Sequence, residues 1–107
     1  MLYYIIMKKI TEKQIMKKLY EVQDPELNIS VVDMGFIYHI DVKKEKVNIL
    51  MTLTTPGCPL INSIVDNIME KVHEFGFKKN NINIKLTFDP PWSMNMMSKK
   101  GKALLGI

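Results

Sequence analysis

The sequence predicts a two-layer α/β domain of the α+β kind, ordered helix–strand–strand–helix–strand–helix. A small mixed three-stranded sheet is expected, covered by helices on one face. Three observations predict it. Apolar and polar residues alternate in three separate stretches, the period of a half-buried strand. Between the second and third stretch the period changes to that of an amphipathic helix. The 107 residues are 47% hydrophobic and 24% charged, a chain of one domain that can bury its own core. Residues 1–10 read as an N-terminal extension and 11–107 as the domain.

The first helix starts at Thr11. Thr11 and Gln14 have the spacing of a capping box, and Ile15, Leu19 and Val22 recur at helical spacing. The expected length is about three turns, ending at Asp24-Pro25-Glu26, because a residue before proline disfavours helical backbone. Residues 27–35 read as a loop with an extended piece at 29–32. In the first strand Phe36, Tyr38, Ile40 and Val42 share one face, with Ile37, His39 and Asp41 on the other. Lys43-Lys44-Glu45-Lys46 is the turn, without the Asn-Gly pair of a tight hairpin. Val47, Ile49, Met51 and Leu53 alternate as the second strand.

Thr54-Thr55-Pro56-Gly57-Cys58-Pro59 breaks that strand. Ile61, Ile64, Val65, Ile68, Val72 and Phe75 then form the apolar stripe of the second helix, with Gly76 as its stop. Ile82, Ile84, Leu86 and Phe88 form the third strand, ended by Asp89-Pro90-Pro91-Trp92. Ser93 is expected to cap a last helix to about Lys100, which Gly101 ends or bends. The crossover between the second and third strands should be right-handed. The pattern does not set the neighbour of the third strand.

Composition excludes several classes. One cysteine, Cys58, and two histidines, His39 and His73, allow no disulfide framework and no zinc finger. They also allow no self-contained iron–sulfur site, since such clusters want about four thiolates. The formal charge is +4, with 15 Lys and Arg that are all lysine. Arginine is the residue suited to bidentate recognition of guanine or phosphate, so no nucleic-acid partner is expected. The lysine groups read as solvated element ends. The apolar run at residues 2–7 is far short of the roughly 20 that span a bilayer. It also lacks the leader and cleavage site of a secretory signal. The expectation is a cytoplasmic protein with no membrane partner.

Chemistry centres on Cys58. Pro59 suits the first position of a helix, which predicts Cys58 at the N-cap, where the helix dipole favours a thiolate. The alternative is a structural cysteine. Gly57 and Pro56 shape the approach. A thiol enzyme would need a base. His73 lies about 22 Å along the helix from Cys58, and His39 reaches it only if the first strand adjoins the Cys58 corner. Asp24, Glu26 and Asp33 read either as turn chemistry or as a carboxylate cluster near the sulfur. Met34, Met94, Met96 and Met97 could suggest copper(I), but composition and gap-filling account for them. Trp92 reads as an anchor for the last segment or as a partner hot spot.

Four ordered pieces carry a resemblance: Asp24-Pro25-Glu26-Leu27, then Val31-Val32-Asp33-Met34-Gly35-Phe36-Ile37-Tyr38, then Thr52-Leu53-Thr54-Thr55-Pro56-Gly57-Cys58-Pro59, then Asp89-Pro90-Pro91-Trp92-Ser93. From about residue 10 to the C-terminus, the chain resembles the SufT-like and PaaD-like family of metal–sulfur cluster biosynthesis proteins. With no cysteine-rich C-terminal segment and no P-loop, it is expected to be the stand-alone form.

The resemblance implies an accessory factor or carrier in iron–sulfur protein maturation, not an enzyme. It implies that Cys58 is the reactive or cluster-associated thiol, a metal ligand shared with a partner. Asp24 and Glu26 match the family's acidic motif. Asp33, Thr55, Gly57 and Pro59 are expected to shape the site, and Trp92 to meet a partner. The implied cofactor is an iron–sulfur cluster, transient or at a subunit interface. The implied partners are assembly proteins, client apoproteins or a second copy in a homodimer. The alternative is an interaction module with a structural cysteine.

Overall fold

The computed structural model describes residues 10–57 and 59–107. Helix α1 spans Glu12–Leu19, β1 Ile37–Lys43, β2 Lys46–Met51 and α2 Ile61–His73. A 3-10 turn at Lys79–Asn81 leads into β3 at Ile82–Leu86, and another at Met94–Met96 precedes α3 at Lys99–Leu105. The sheet order is β1-β2-β3, with β1 and β2 antiparallel and β2 and β3 parallel. The third strand therefore takes β2 as its neighbour, and the predicted two-layer mixed sheet is present.

Burial explains the layers. Val47, Ile49 and Met51 of β2 lie on one face and are at most 1% exposed. Ile40 and Ile82 join them from the outer strands, and Ile15, Leu19, Ile64, Ile68 and Val72 come down from α1 and α2. Helix α1 packs on α2 and β1, and α2 packs on β3. The opposite face carries exposed His39, Asn48, Asn83 and Lys85, with Asn83 donating to Asn48 at 3.4 Å. Phe77, fully buried beyond α2, lies outside the periodic stripe. No helix among the described residues is long and apolar enough to cross a membrane.

The capping box forms as expected. Gln14 N–H donates to Thr11 Oγ1 at 3.3 Å, and Thr11 N–H donates to Gln14 Oε1 at 2.8 Å. The helix is shorter than expected and ends at Leu19. Glu21 and Val22 N–H groups bond three residues back, to Lys18 and Leu19 carbonyls, which tightens the chain into a turn before Asp24.

Three further expectations are corrected. The first strand does not keep one alternation, because pairing shifts between Ile37 and His39. The bulge at Tyr38 puts Ile37 opposite Met51 on the core face, and Tyr38 leaves the face of Ile40 and Val42. The last helix is capped by Ser98, not Ser93, and Gly101 lies inside it. Gly106, at φ 77°, is its stop. Helix α2 begins at Ile61 with Leu60 as N-cap. The N-cap expected at residue 58 is thus displaced by two positions, and Pro59 lies in the preceding turn. Cys58 itself lies outside the described residues, as does the 1–9 part of the N-terminal extension.

Charges tie the helical layer together. Lys18 reaches Glu21 at 3.3 Å and Glu74 at 3.1 Å, and Lys71 reaches Glu21 at 3.2 Å and Glu74 at 3.8 Å. Hydrogen bonds from Lys71 and Lys18 hold Glu21 below the usual carboxylate range, and those to Glu74 and Glu21 raise Lys18 above the usual lysine range. Lys79 likewise lowers Glu70, which it meets at 2.7 Å. The carboxylate contributions are present at neutral pH and fade as pH falls through the lowered values. That of Lys18 is complete below the ordinary lysine range and fades as pH rises through the raised value. The carboxylates are exposed and Lys18 and Lys71 half-buried, so salt screens these pairs.

Glu12 Oε2 accepts the edge N–H of Val42 at 3.1 Å. Its own backbone N–H and that of Val42 lower its pKa. The bond blunts the free side of β1.

The hairpin turn has a local cost. Lys43 pairs with Lys46, and the two-residue loop between them puts Lys44 at φ 53°, in the left-handed region. Lys44→Gly is expected to stabilise the protein by about 0.5–1 kcal/mol. Urea unfolding should show this as a higher midpoint with an unchanged slope.

Candidate functional site

Three segments meet at the carboxyl end of β2 and β3. Thr52 N–H donates to Phe36 O at 2.8 Å, which sets the exit of β2 beside the start of β1. Thr87 N–H donates to Met51 O at 2.8 Å, which brings the 87–92 segment to the same end. Carboxyl ends of strands are where open α/β sheets place ligands, because the connections there diverge. The loop at 54–57 is exposed, as is Pro59. Thr55 and Gly57 thus line accessible backbone. A Cβ added at Gly57 would meet nothing within 4 Å, and its φ is not left-handed. Gly57 lies in a turn whose backbone does not need the left-handed freedom of glycine.

A second network centres on Asp33, which is 5% exposed. Its Oδ2 accepts from Ser30 Oγ at 3.0 Å and its Oδ1 from Ser98 Oγ at 2.6 Å. Asp33 N–H returns a bond to Ser30 Oγ at 2.9 Å. Its carbonyl accepts Ser98 N–H at 2.9 Å. Ser98 Oγ also accepts Gly101 N–H at 3.0 Å, capping α3. Asp33 thus docks the last helix on the site end, and both its carboxylate oxygens are engaged.

Asp24 holds a different turn. Its Oδ1 accepts Glu26 N–H at 2.9 Å and Leu27 N–H at 3.3 Å. The arms of that turn pair through Val31 N–H to Val22 O at 2.8 Å and Asp24 N–H to Ile29 O at 2.9 Å. Glu26 is exposed beside it. Among the described residues, no group of three His, Cys, Asp or Glu side chains could hold a metal ion. Asp24, Glu26 and Asp33 are therefore not gathered into such a set.

Trp92 is half-buried. Its Nε1–H donates to Met34 O at 2.6 Å, and its ring meets Phe36 edge-on with centroids 6.2 Å apart. Tyr38 Oη donates to Pro90 O at 2.7 Å and lies 3.4 Å from Met96 Sδ. The 90–98 segment is therefore strapped across the 33–38 segment. Gly35, at φ 78°, is where the two come closest: an added Cβ would collide with the Met96 carbonyl.

Tyr38, Gly35, Ser98 and Gly101 position this end, yet local sequence marks none of them as such. Their partners lie far along the chain, 65 residues for Ser98 and Asp33. His39 is exposed on the open face, and His73 Nδ1–H donates to Phe77 O at 2.7 Å. Of the methionines, Met34 and Met97 are buried in the core and Met94 is exposed.

Comparison with known proteins agrees with this geometry. A family model described as iron–sulfur cluster assembly protein matches residues 12–84. An Fe-S protein maturation auxiliary factor of Porphyromonas gingivalis is 39% identical over 98 residues, covering 91% of this chain and 92% of that protein. The Fe-S protein maturation auxiliary factor YitW of Bacillus subtilis is 34% identical over 102 residues, covering 94% and 99%. The crystal structure of a domain of unknown function from Bacillus anthracis matches with a TM-score of 0.83 at 32% identity, over 90% of this chain and 92% of that one. In matched length, identity and fold alike, the chain belongs to the iron–sulfur cluster assembly protein family, in its SufT-like form.

Proposed function

We propose that the protein is an accessory factor in iron–sulfur protein maturation that carries a cluster, as cargo, toward apoproteins through the Cys58 thiol. The observation that carries this reading is the lone thiol in a chain of this family. A cluster wants about four thiolates. The remaining ligands then come from a client, an assembly protein or a second copy, and the cluster is transient or sits at an interface. Such a carrier is not an enzyme and works in the cytoplasm. In this reading Thr55, Gly57 and Pro59 shape the exposed loop around the thiol, and Asp24 and Glu26 face arriving metal or ligand. Asp33 holds the last helix in place, and Trp92 braces the surface a partner meets.

Anaerobic incubation with iron and sulfide, followed by metal and sulfide analysis and mass in solution, tests this. The parent protein is expected to load a cluster and to shift toward a shared species, and to mature a client apoprotein. Cys58→Ser is expected to lose both. Loading and maturation unaffected by the substitution would overturn the proposal.

A further inference from the structure

The fold gathers lysines that the sequence keeps apart. Lys43, Lys44 and Lys46 belong to the β1–β2 turn, and Lys78 opens the 3-10 turn before β3. Because β3 runs parallel to β2, with Ile82 opposite Val47, both turns stand at the same end of the sheet. Lys43, Lys44, Glu45 and Lys46 line one open hollow of about 710 Å³ together with Asn81. Asn81 N–H in turn bonds to Lys78 O at 2.9 Å.

Among the described residues, acidic groups answer only part of this charge. Glu45 stands in the same turn, Asp41 lies 3.8 Å from Lys43, and Glu70 takes Lys79 at 2.7 Å. Two features work against stability here: Lys43 and Lys46 stand directly opposite each other in the ladder, and Lys44 is left-handed. A glycine or asparagine would serve the turn better, so the turn's demands alone do not account for these lysines.

We propose that this end of the sheet is a docking surface for an acidic protein, engaged through Lys43, Lys44, Lys46 and Lys78. It lies at the amino end of β2, whereas the loop bearing the thiol leaves the carboxyl end, about 20 Å away along the strand. A partner held at the lysine end leaves the thiol end free for a client. The inference rests on the maturation reading only for what the partner does; the docking stands on charge placement alone. Lysines present compact point charges that steer an acidic surface, and the chain has no arginine for bidentate phosphate recognition.

Fluorescent poly-L-glutamate, followed by anisotropy at low and at physiological ionic strength, is the probe. The full chain is expected to bind it with an affinity that falls steeply with salt. The triple variant Lys43→Glu, Lys44→Glu, Lys46→Glu should bind at least about tenfold more weakly, with circular dichroism confirming its fold. The milder Lys43→Gln, Lys46→Gln pair should weaken binding in the same direction. Lys99→Glu with Lys100→Glu, on α3, should change it by less than about twofold. Equal losses from the two patches, no loss in the triple variant, or equal affinity for a single-stranded RNA would overturn the proposal. Cys58→Ser should bind polyglutamate as the parent does, and the triple variant should load iron and sulfide as the parent does. Failure of docking is thus read in anisotropy, and failure of the carrier reading in cluster loading.

Discussion

Asp33→Ala is expected to cost about 3 kcal/mol and to lower the melting temperature by roughly 12 °C. The substitution removes the acceptor of two buried or half-buried serine hydroxyls, Ser30 and Ser98. Each hydrogen bond to a charged group contributes about 1.5–3 kcal/mol, and a hydroxyl can recover part of that by rotating. The Ser98 hydroxyl also caps α3 through Gly101 N–H, so loosening it frees the helix as well. Trypsin should then cut faster at Lys99, Lys100 and Lys102. Asp33→Asn keeps the shape and one acceptor, and should cost about 1–2 kcal/mol. Asp24→Ala, which frees only the exposed N–H groups of Glu26 and Leu27, should cost about 1 kcal/mol or less. Urea unfolding of the three variants checks the ordering. Equal costs for Asp33→Ala and Asp24→Ala would mean that the carboxylate network does not hold the last helix.

Gly35→Ala should be comparably damaging, at about 3 kcal/mol or more. The left-handed backbone alone costs an L-residue about 1–2 kcal/mol. The new methyl would also stand 2.6 Å from the Met96 carbonyl carbon, and that atom is backbone held by its own 3-10 turn. The strap of residues 90–98 would have to lift, and the bonds from Tyr38 to Pro90 and from Trp92 to Met34 would lengthen with it. Gly57→Ala is the matched control. Open space around its Cβ and an ordinary φ should keep its effect within about 0.5 kcal/mol. Tryptophan fluorescence reports the strap directly, because the chain has one tryptophan. An unchanged Trp92 signal and a mild cost for Gly35→Ala would rule out the close approach as the clamp of this end.

The elements that sequence reveals are those whose causes are local. Thr11 and Gln14 stand three residues apart and complete each other's hydrogen bonds, so the start of α1 is visible. The α2 stripe is visible because Ile64, Ile68 and Val72 repeat on one helical face. What sequence hides is set by distant partners. Ser93 and Ser98 are equally good caps in isolation, and only the meeting with Asp33 selects Ser98. Pro25 marks where a helix cannot continue, whereas α1 stops sooner because Val22 and Val31 pair. The Tyr38 bulge has no marker in an alternating run. It exists because Tyr38 finds Pro90 and Met96 across the strap. The candidate site divides the same way. The exposed loop at 54–57 is legible as a break in pattern, whereas the structural duty of Asp33 is legible only once α3 is docked.

Among the described residues, helix α3 is anchored through its first turn, by Ser98 and Gly101, and Gly101 is its one buried residue. Beyond it, Leu104 and Ile107 stand 59% and 61% exposed. Mechanically this is a cantilever clamped at its root. Any load applied at its tip is delivered as torque to its root, where Asp33 holds the Ser98 hydroxyl.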